Sequence, residues 1–417
     1  MNAGDKDHRT SLHLASNDGS SDIAQGLVDY GVDANAMKGE GWSPLFRLIE
    51  ASRSSGSGYS YLDLIELLVE HGADANARGE DNTTALQLAS EFGRLGVARV
   101  LLNHGADVNA KNKRGRTPFH QLASADNWIG SNSVAVAQLL LENNVDVNAR
   151  DEENETPLHL ASKHGRLDIA LVLMDHGAIV DVENKWGQSP LHASSQGIPY
   201  SDWARFKDIV RLLLERGAYA NARDEDNATA LHLASSGYGL PIVLVLLNGG
   251  ANASAKDNSG QTPLHRLLTN GHYDEKACLP FVRLLLKHGV DVNAEDEDHA
   301  TALHLVFDNQ MLEVAQVLLD HGANPNGANP NAEDNQGETS LHRLLNRNYF
   351  REDHLDTVQL LLEHGANPNA KDKDGITPSH LTFHNGMLEV AGLLRKHGAE
   401  DAENDQVRTP FHAVPVS

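Results

Sequence analysis

The sequence predicts an all-α solenoid of stacked helix–turn–helix modules joined by polar stretches of extended and turn character, running through all 417 residues. Three observations predict it. One pattern starts twelve times, at Thr10, Ser43, Thr84, Thr117, Thr156, Ser189, Thr229, Thr262, Thr301, Thr339, Thr377 and Thr409. Each complete copy carries two short apolar segments and then a stop residue. Hydrophobic residues make up 40% of the chain but aromatics only 5%, so the core is aliphatic. A module of about 33 residues cannot bury its own apolar stripe, whereas stacked neighbours bury it for one another.

Every module opens on Ser or Thr, whose hydroxyl accepts a backbone N–H of the first helical turn. Proline follows in seven modules (Pro44, Pro118, Pro157, Pro190, Pro263, Pro378, Pro410). It suits the first helical position, where no hydrogen-bonded N–H is lost. A short helix, a turn and a second helix rich in Leu and Val come next. The stop is glycine, as at Gly72, Gly105 and Gly177, except at Asn144. Asn is the next best residue for a left-handed helix terminator. A polar stretch such as ADVNAKNKRG then leads to the next start.

The string TPLHLASKHGRLDIALVLMDHGA from Thr156, and the recurring L-L-L-x-x-G-A-D-x-N-A segment, resemble the ankyrin repeat across essentially the whole chain. The resemblance implies paired antiparallel helices with projecting fingers, and one continuous solenoid over residues 1–417. It also implies that the histidines of the TPLH position hydrogen-bond between neighbouring turns.

The starts are separated by 33, 41, 33, 39, 33, 40, 33, 39, 38, 38 and 32 residues. Short and long modules alternate, which points to duplication of a two-module block. The long modules carry insertions between their helices, near residues 51–61, 124–134, 195–206, 270–281 and 346–354. Finger tips alternate in step: Gly41, Gly115, Gly187, Gly260 and Gly337 in long modules, His8, Asn82, Asn154, Asn227 and His299 in short ones. A stutter, GANPNGANPNA, predicts one longer finger at Gly322–Asn331.

Lys and Arg total 34 against 58 Asp and Glu, a formal charge of −24. Such a surface repels phosphates and anionic lipid, so a nucleic-acid partner is not expected. The longest apolar run, about eight residues around Leu240 to Leu247, is far short of a membrane span, so membrane insertion is not expected either. One cysteine, Cys278, rules out a disulfide framework, and MNAGDKDHR carries no secretory signal; an intracellular, cytoplasmic monomer is expected. No cofactor, metal or catalytic residue is assigned. There is no H-E-x-x-H, no cysteine pair, no phosphate loop and no nucleophile elbow. Of 23 histidines, 17 fall at the TPLH position or just before the stop, where an imidazole serves the backbone. Finger acids, as in Asp151–Glu155, are expected to be solvated and to titrate normally.

What remains is surface. The expected function is a non-enzymatic protein-interaction scaffold binding a partner, with a basic surface, through the concave groove and finger tips. Trp and Tyr dominate recognition hot spots, and a turn rarely needs Trp for folding. The contact candidates are Trp42 and Trp186 near finger tips, and Phe307 and Phe383 where other short modules carry Ser. Trp128, Trp203 and Tyr349 in the inserted loops complete the set. Those loop rings either contact a partner or fold back over a shorter neighbour. The alternative is a regulatory or targeting arm of a larger enzyme, channel or receptor whose active domain lies outside this sequence. The start within a finger and the end at TPFHAVPVS, inside a first helix, fit a piece of a longer polypeptide.

Overall fold

A computed structural model describes residues 10–18, 20–36, 42–51, 58–125, 132–196, 203–237, 239–269, 275–309, 311–321, 328–346 and 353–400. The chain forms two compact bodies, Met1–Glu225 and Asp226–Ser417. The first contains α1 (Ser11–Asp18), α2 (Ser21–Asp29), α3 (Pro44–Ala51), α4 (Gly58–Glu70), α5 (Ala85–Glu91) and α6 (Leu95–Asn103). It continues with α7 (Pro118–Ser124), α8 (Ser133–Glu142), α9 (Pro157–Lys163), α10 (Leu167–Asp175), α11 (Pro190–Ala193) and α12 (Trp203–Glu215). The second contains α13 (Ala230–Ser236), α14 (Leu240–Asn248), α15 (Pro263–Thr269), α16 (Glu275–Lys287) and α17 (Ala302–Asp308). After these come α18 (Leu312–Asp320), α19 (Ser340–Leu345), α20 (Asp353–Glu363), α21 (Pro378–His384) and α22 (Leu388–Lys396).

Within each body, first helices stack on first helices and second on second. Thus α5 packs on α7 and α7 on α9, while α6 packs on α8 and α8 on α10. The second body repeats this with α13, α15, α17, α19 and α21 in one layer and α14, α16, α18, α20 and α22 in the other. Leu158, Leu160, Ile169 and Leu173 show how one module fills its share of the core, all with no exposed surface. Each such side chain contributes about 1.5–3 kcal/mol by leaving water.

The first helices begin as the cap residues require, with one change of chemistry. Thr156 Oγ1 accepts from the His159 backbone N–H, and the Thr156 N–H donates to His159 Nδ1 at 3.1 Å. This is a capping box in which His takes the place usual for Glu or Gln. The ring's other nitrogen then reaches the next module: His159 Nε2 lies 3.0 Å from the carbonyl of Gln188, the residue before the next cap. The same bond joins His13 to Trp42, His120 to Glu155, His232 to Gln261, His265 to Ala300, His304 to Glu338 and His342 to Ile376. The stitch expected between neighbouring turns is therefore present. Gln87 does the same work without a titratable ring, accepting from the Thr84 N–H at 2.7 Å and donating to the carbonyl of Arg116, the residue before the next cap, at 2.5 Å.

Second helices run to nine residues in the short modules, and to between ten and thirteen in the long ones. The insertions thus extend the start of the second helix. Phe206, from one insertion, is buried, and its ring sits 3.1 Å from where a β-carbon at Gly165 would lie. At this loop the ring does fold back over the shorter neighbouring module. Glu275, at the start of α16, accepts from the free N–H groups of Glu313 and Val314 and so caps α18 from the adjacent module.

Candidate functional site: the finger row and its edge

Among the described residues the fingers carry a single antiparallel bridge, Arg78 with Thr84, and no longer strand. They are closed instead by a carboxylate. Asp151 Oδ1 accepts from the N–H groups of Glu153 and Glu155, both at 2.9 Å, and Asp257, Asp296, Asp334 and Asp372 repeat the arrangement. Backbone bonds then tie finger to finger. In the first body, Lys113 N–H donates to Asp81, Glu152 to Arg114, Lys185 to Glu153 and Glu225 to Trp186.

These bonds explain the alternation at the tips. Asn82, Asn154, Asn227 and His299 have φ of 55–58°, and Gly115, Gly187, Gly260 and Gly337 have φ of 69–73°. The left-handed turn is common to both sets. In the long modules the next finger's backbone presses against the same residue. A β-carbon on Gly187 would lie 2.9 Å from the Glu225 nitrogen, and one on Gly115 equally close to the Glu152 nitrogen. Only glycine fits there, whereas the short modules leave room for Asn or His.

Trp186 stands on this row, 39% exposed. Its N–H donates to Asn184 Oδ1 at 3.0 Å, which fixes the turn. Lys185 Nζ sits 4.4 Å from the ring centre and bonds Glu153 Oε1 at 3.0 Å. The indole is thus held by a cation on one side and is part-exposed to solvent. In the Lys111–Arg116 finger two cations are paired with neighbouring fingers: Lys113 faces Asp81 at 3.4 Å and Arg116 faces Asp151 at 3.2 Å.

Other sequence candidates fall in different places. Trp42 is half-buried, edge-on to Phe46 at 5.1 Å and under Arg47 at 5.0 Å; its surroundings are those of a packing residue. Phe307 has 1% exposure, so the structure puts it in the core and takes it out of any contact surface. Phe383, at the equivalent place in α21, is 78% exposed beside Leu388 at 84%. The difference is the neighbour: α17 packs under α19, and among the described residues no later helix covers α21. Trp203 opens α12 half-buried. Trp128 and Tyr349 lie outside the described residues, as does much of the Gly322–Asn331 stutter.

The expectation that finger acids titrate normally fails at three of them. Burial raises the Glu155 carboxyl above the usual carboxylate range, against the pull of Lys163 and Arg116. Burial likewise raises Glu338, despite Arg343. Asp334 is lowered instead: although burial acts to raise it, hydrogen bonds from Arg343 and from two backbone N–H groups outweigh that. Arg116 of the preceding finger pairs with Asp151 and Glu155, and Arg343 in α19 ties Asp334 and Glu338 to the helix layer. Among the described residues no group of His, Cys, Asp and Glu could hold a metal ion, and no helix is long and apolar enough to cross a membrane. Cys278 is buried. In the second body an open groove of about 770 Å³ runs over α18, lined by Leu279, Arg283, Leu312, Gln316, Asp356 and Leu360.

A second row, along the base of the fingers, went unread in the sequence. Asn76 Nδ2 donates to the Gly105 carbonyl at 2.9 Å, and its Oδ1 accepts from the Asp107 N–H at 2.7 Å. Asn35, Asn109, Asn148, Asn331 and Asn369 clamp the next module's stop in the same way. The recurring N of G-A-D-x-N-A was the available signal.

The family model of ankyrin repeats in three copies matches this chain at residues 1–78, 48–151, 128–224, 202–276, 231–329 and 274–372. An ankyrin repeat-containing protein of Schizosaccharomyces pombe, P1E11.10, is 31% identical over 75 residues. That match spans 18% of this chain and 32% of the relative. Among solved structures, the ankyrin repeat domain of Bcl-3, of the IkappaB protein family, aligns at a TM-score of 0.46 and 26% identity. It covers 58% of this chain and 99% of that one.

Proposed function

The chain belongs to the ankyrin-repeat family, whose repeats are protein-interaction modules, and from that premise we propose a non-enzymatic scaffold that binds a protein partner along its finger row. Trp186 carries the reading. It is a large aromatic on a turn, exposed, restrained by Lys185 and by its own backbone bonds, and not required by the core. Restraint matters because a side chain ordered in advance loses little entropy on binding. The partner has a basic face, since the chain's formal charge is −24 and acids outnumber bases on its fingers. The scaffold acts as a monomer.

The test is capture from cell extract by the full chain, by Trp186→Ala and by Trp42→Ala, with crosslinking mass spectrometry to identify what is held. Loss of a central anchor costs about 2 kcal/mol, roughly thirtyfold in affinity. Capture by Trp186→Ala should fall by that order, and capture by the parent chain should weaken as salt rises. Equal capture by all three proteins would remove the finger-tip assignment.

A further inference from the structure

At one position the repeat departs from its own rule in two consecutive modules. Two residues after the stop, the first four modules carry Asp33, Asp74, Asp107 and Asp146. Each carboxylate accepts the backbone N–H two residues on, at 2.8–3.0 Å, and so fixes the entry to the finger. The fifth and sixth modules carry Ile179 and Tyr219 instead. An isoleucine cannot make that bond. Nor is either side chain there for the core: Ile179 is 56% exposed and Tyr219 is 61% exposed. They occupy successive rungs of the side-chain ladder at the finger bases. Ile179 N–H donates to Asn148 Oδ1 at 2.9 Å, and Tyr219 N–H donates to Asp181 Oδ1 at 3.0 Å.

The rung between them is altered as well. Asp181 stands where most modules have Asn, and a carboxylate has no N–H to offer the next stop's carbonyl. Asp146 and Asp181 lie on the ladder itself, and Glu215 is exposed at the end of α12. Arg216 is engaged with Asp175 at 2.8 Å. An aliphatic and an aromatic side chain are thus exposed on successive rungs, at the expense of a turn bond, on a ladder that also carries carboxylates.

We propose that Ile179 and Tyr219 form a binding surface, apart from the finger tips, for a protein segment presenting an apolar side chain flanked by Lys or Arg. Apolar contact with the two side chains would supply the anchor, and Asp146, Asp181 and Glu215 would select the cationic flanks. The inference rests on the scaffold reading but on different residues, so the two are separable.

The experiment uses the full chain and a fluorescein-labelled peptide alternating Lys with Leu and Phe, read by anisotropy. The double variant Ile179→Asp with Tyr219→Asp restores the residue of the first four modules. Its thermal midpoint should match or exceed that of the parent, and its affinity for the peptide should fall tenfold or more. Trp186→Ala should bind the peptide within twofold of the parent, and a peptide with Glu in place of Lys should not bind. Absence of binding to the parent chain, or equal binding by the double variant, would overturn the proposal. So would a lower thermal midpoint in the double variant, which would make the two side chains structural. Sedimentation showing a dimer that this variant dissolves would assign the surface to a second copy of the chain, and would overturn it too. A partner captured through Trp186 and retained by the double variant would leave the scaffold standing and remove this surface alone.

Discussion

Acid should loosen this protein through the histidines that stitch its modules, and replacing two of them by glutamine should blunt the effect. Burial pushes the His120 and His159 imidazoles from the ordinary 6.5 to about 4. Both are fully buried, with Nδ1 held by the cap and Nε2 by a carbonyl of the next module. A nitrogen already accepting from the cap N–H has no place for a second proton. The folded pKa lies below the unfolded one, so the unfolded chain binds the proton first. Stability is therefore full above pH 6.5 and is lost as pH falls from there towards 4. The shift corresponds to about 3 kcal/mol per histidine over the whole window, and about 2 kcal/mol each by pH 5. Gln87 supplies the isostere already present in the fold. His120→Gln with His159→Gln should leave stability at pH 7 within about 1–2 kcal/mol of the parent, because each bond has a counterpart. Between pH 7 and pH 5 the variant should lose about 4 kcal/mol less than the parent. Urea unfolding at the two pH values measures the difference, and amide exchange in α7 and α9 places it. The lowered His232, His265 and His304 and the raised Glu155 titrate in both proteins, and drop out of the comparison. Identical pH dependence in parent and variant would refute the reasoning.

Other outcomes follow from single contacts. Asn148→Ala removes bonds to the Gly177 carbonyl at 3.1 Å and the Ile179 N–H at 2.9 Å. It should cost about 1–2 kcal/mol, with faster exchange at the Ile179 amide. Gly187→Ala should be worse than Gly177→Ala. Both have left-handed φ, of 71° and 87°, but only the former would push a β-carbon to 2.9 Å from the Glu225 nitrogen. Strain alone is worth about 1 kcal/mol, and the steric conflict adds to it; paired thermal melts decide. Trp186→Ala should change stability by no more than about 0.5 kcal/mol, since its ring is outside the core; a larger loss in chemical denaturation would make it structural.

The contact candidates divided along one line. The exposure of Trp186 was legible because its position on a turn is a local fact, and turns face solvent. Phe307 and Phe383 are the same residue at the same place in their modules, and nothing in either module separates them. One is covered by the following first helix, and for the other no following helix lies among the described residues. Asp151 and Glu155 misled for the same reason. Carboxylates in a polar stretch read as solvated, yet Arg116 from the preceding finger and the helix floor enclose them.

The sequence alone determined the element order, the period and the helix ends. Each is set by neighbours along the chain: a hydroxyl cap, Pro in the first turn, His three residues on, and a residue tolerant of positive φ at the stop. Tertiary structure decided which rings are buried, why tips alternate between Gly and Asn or His, and that Asn76, Asn148 and their counterparts clamp the following module's stop. Those outcomes depend on atoms about one module away in sequence, where spacing between modules, and not local preference, sets what a side chain meets.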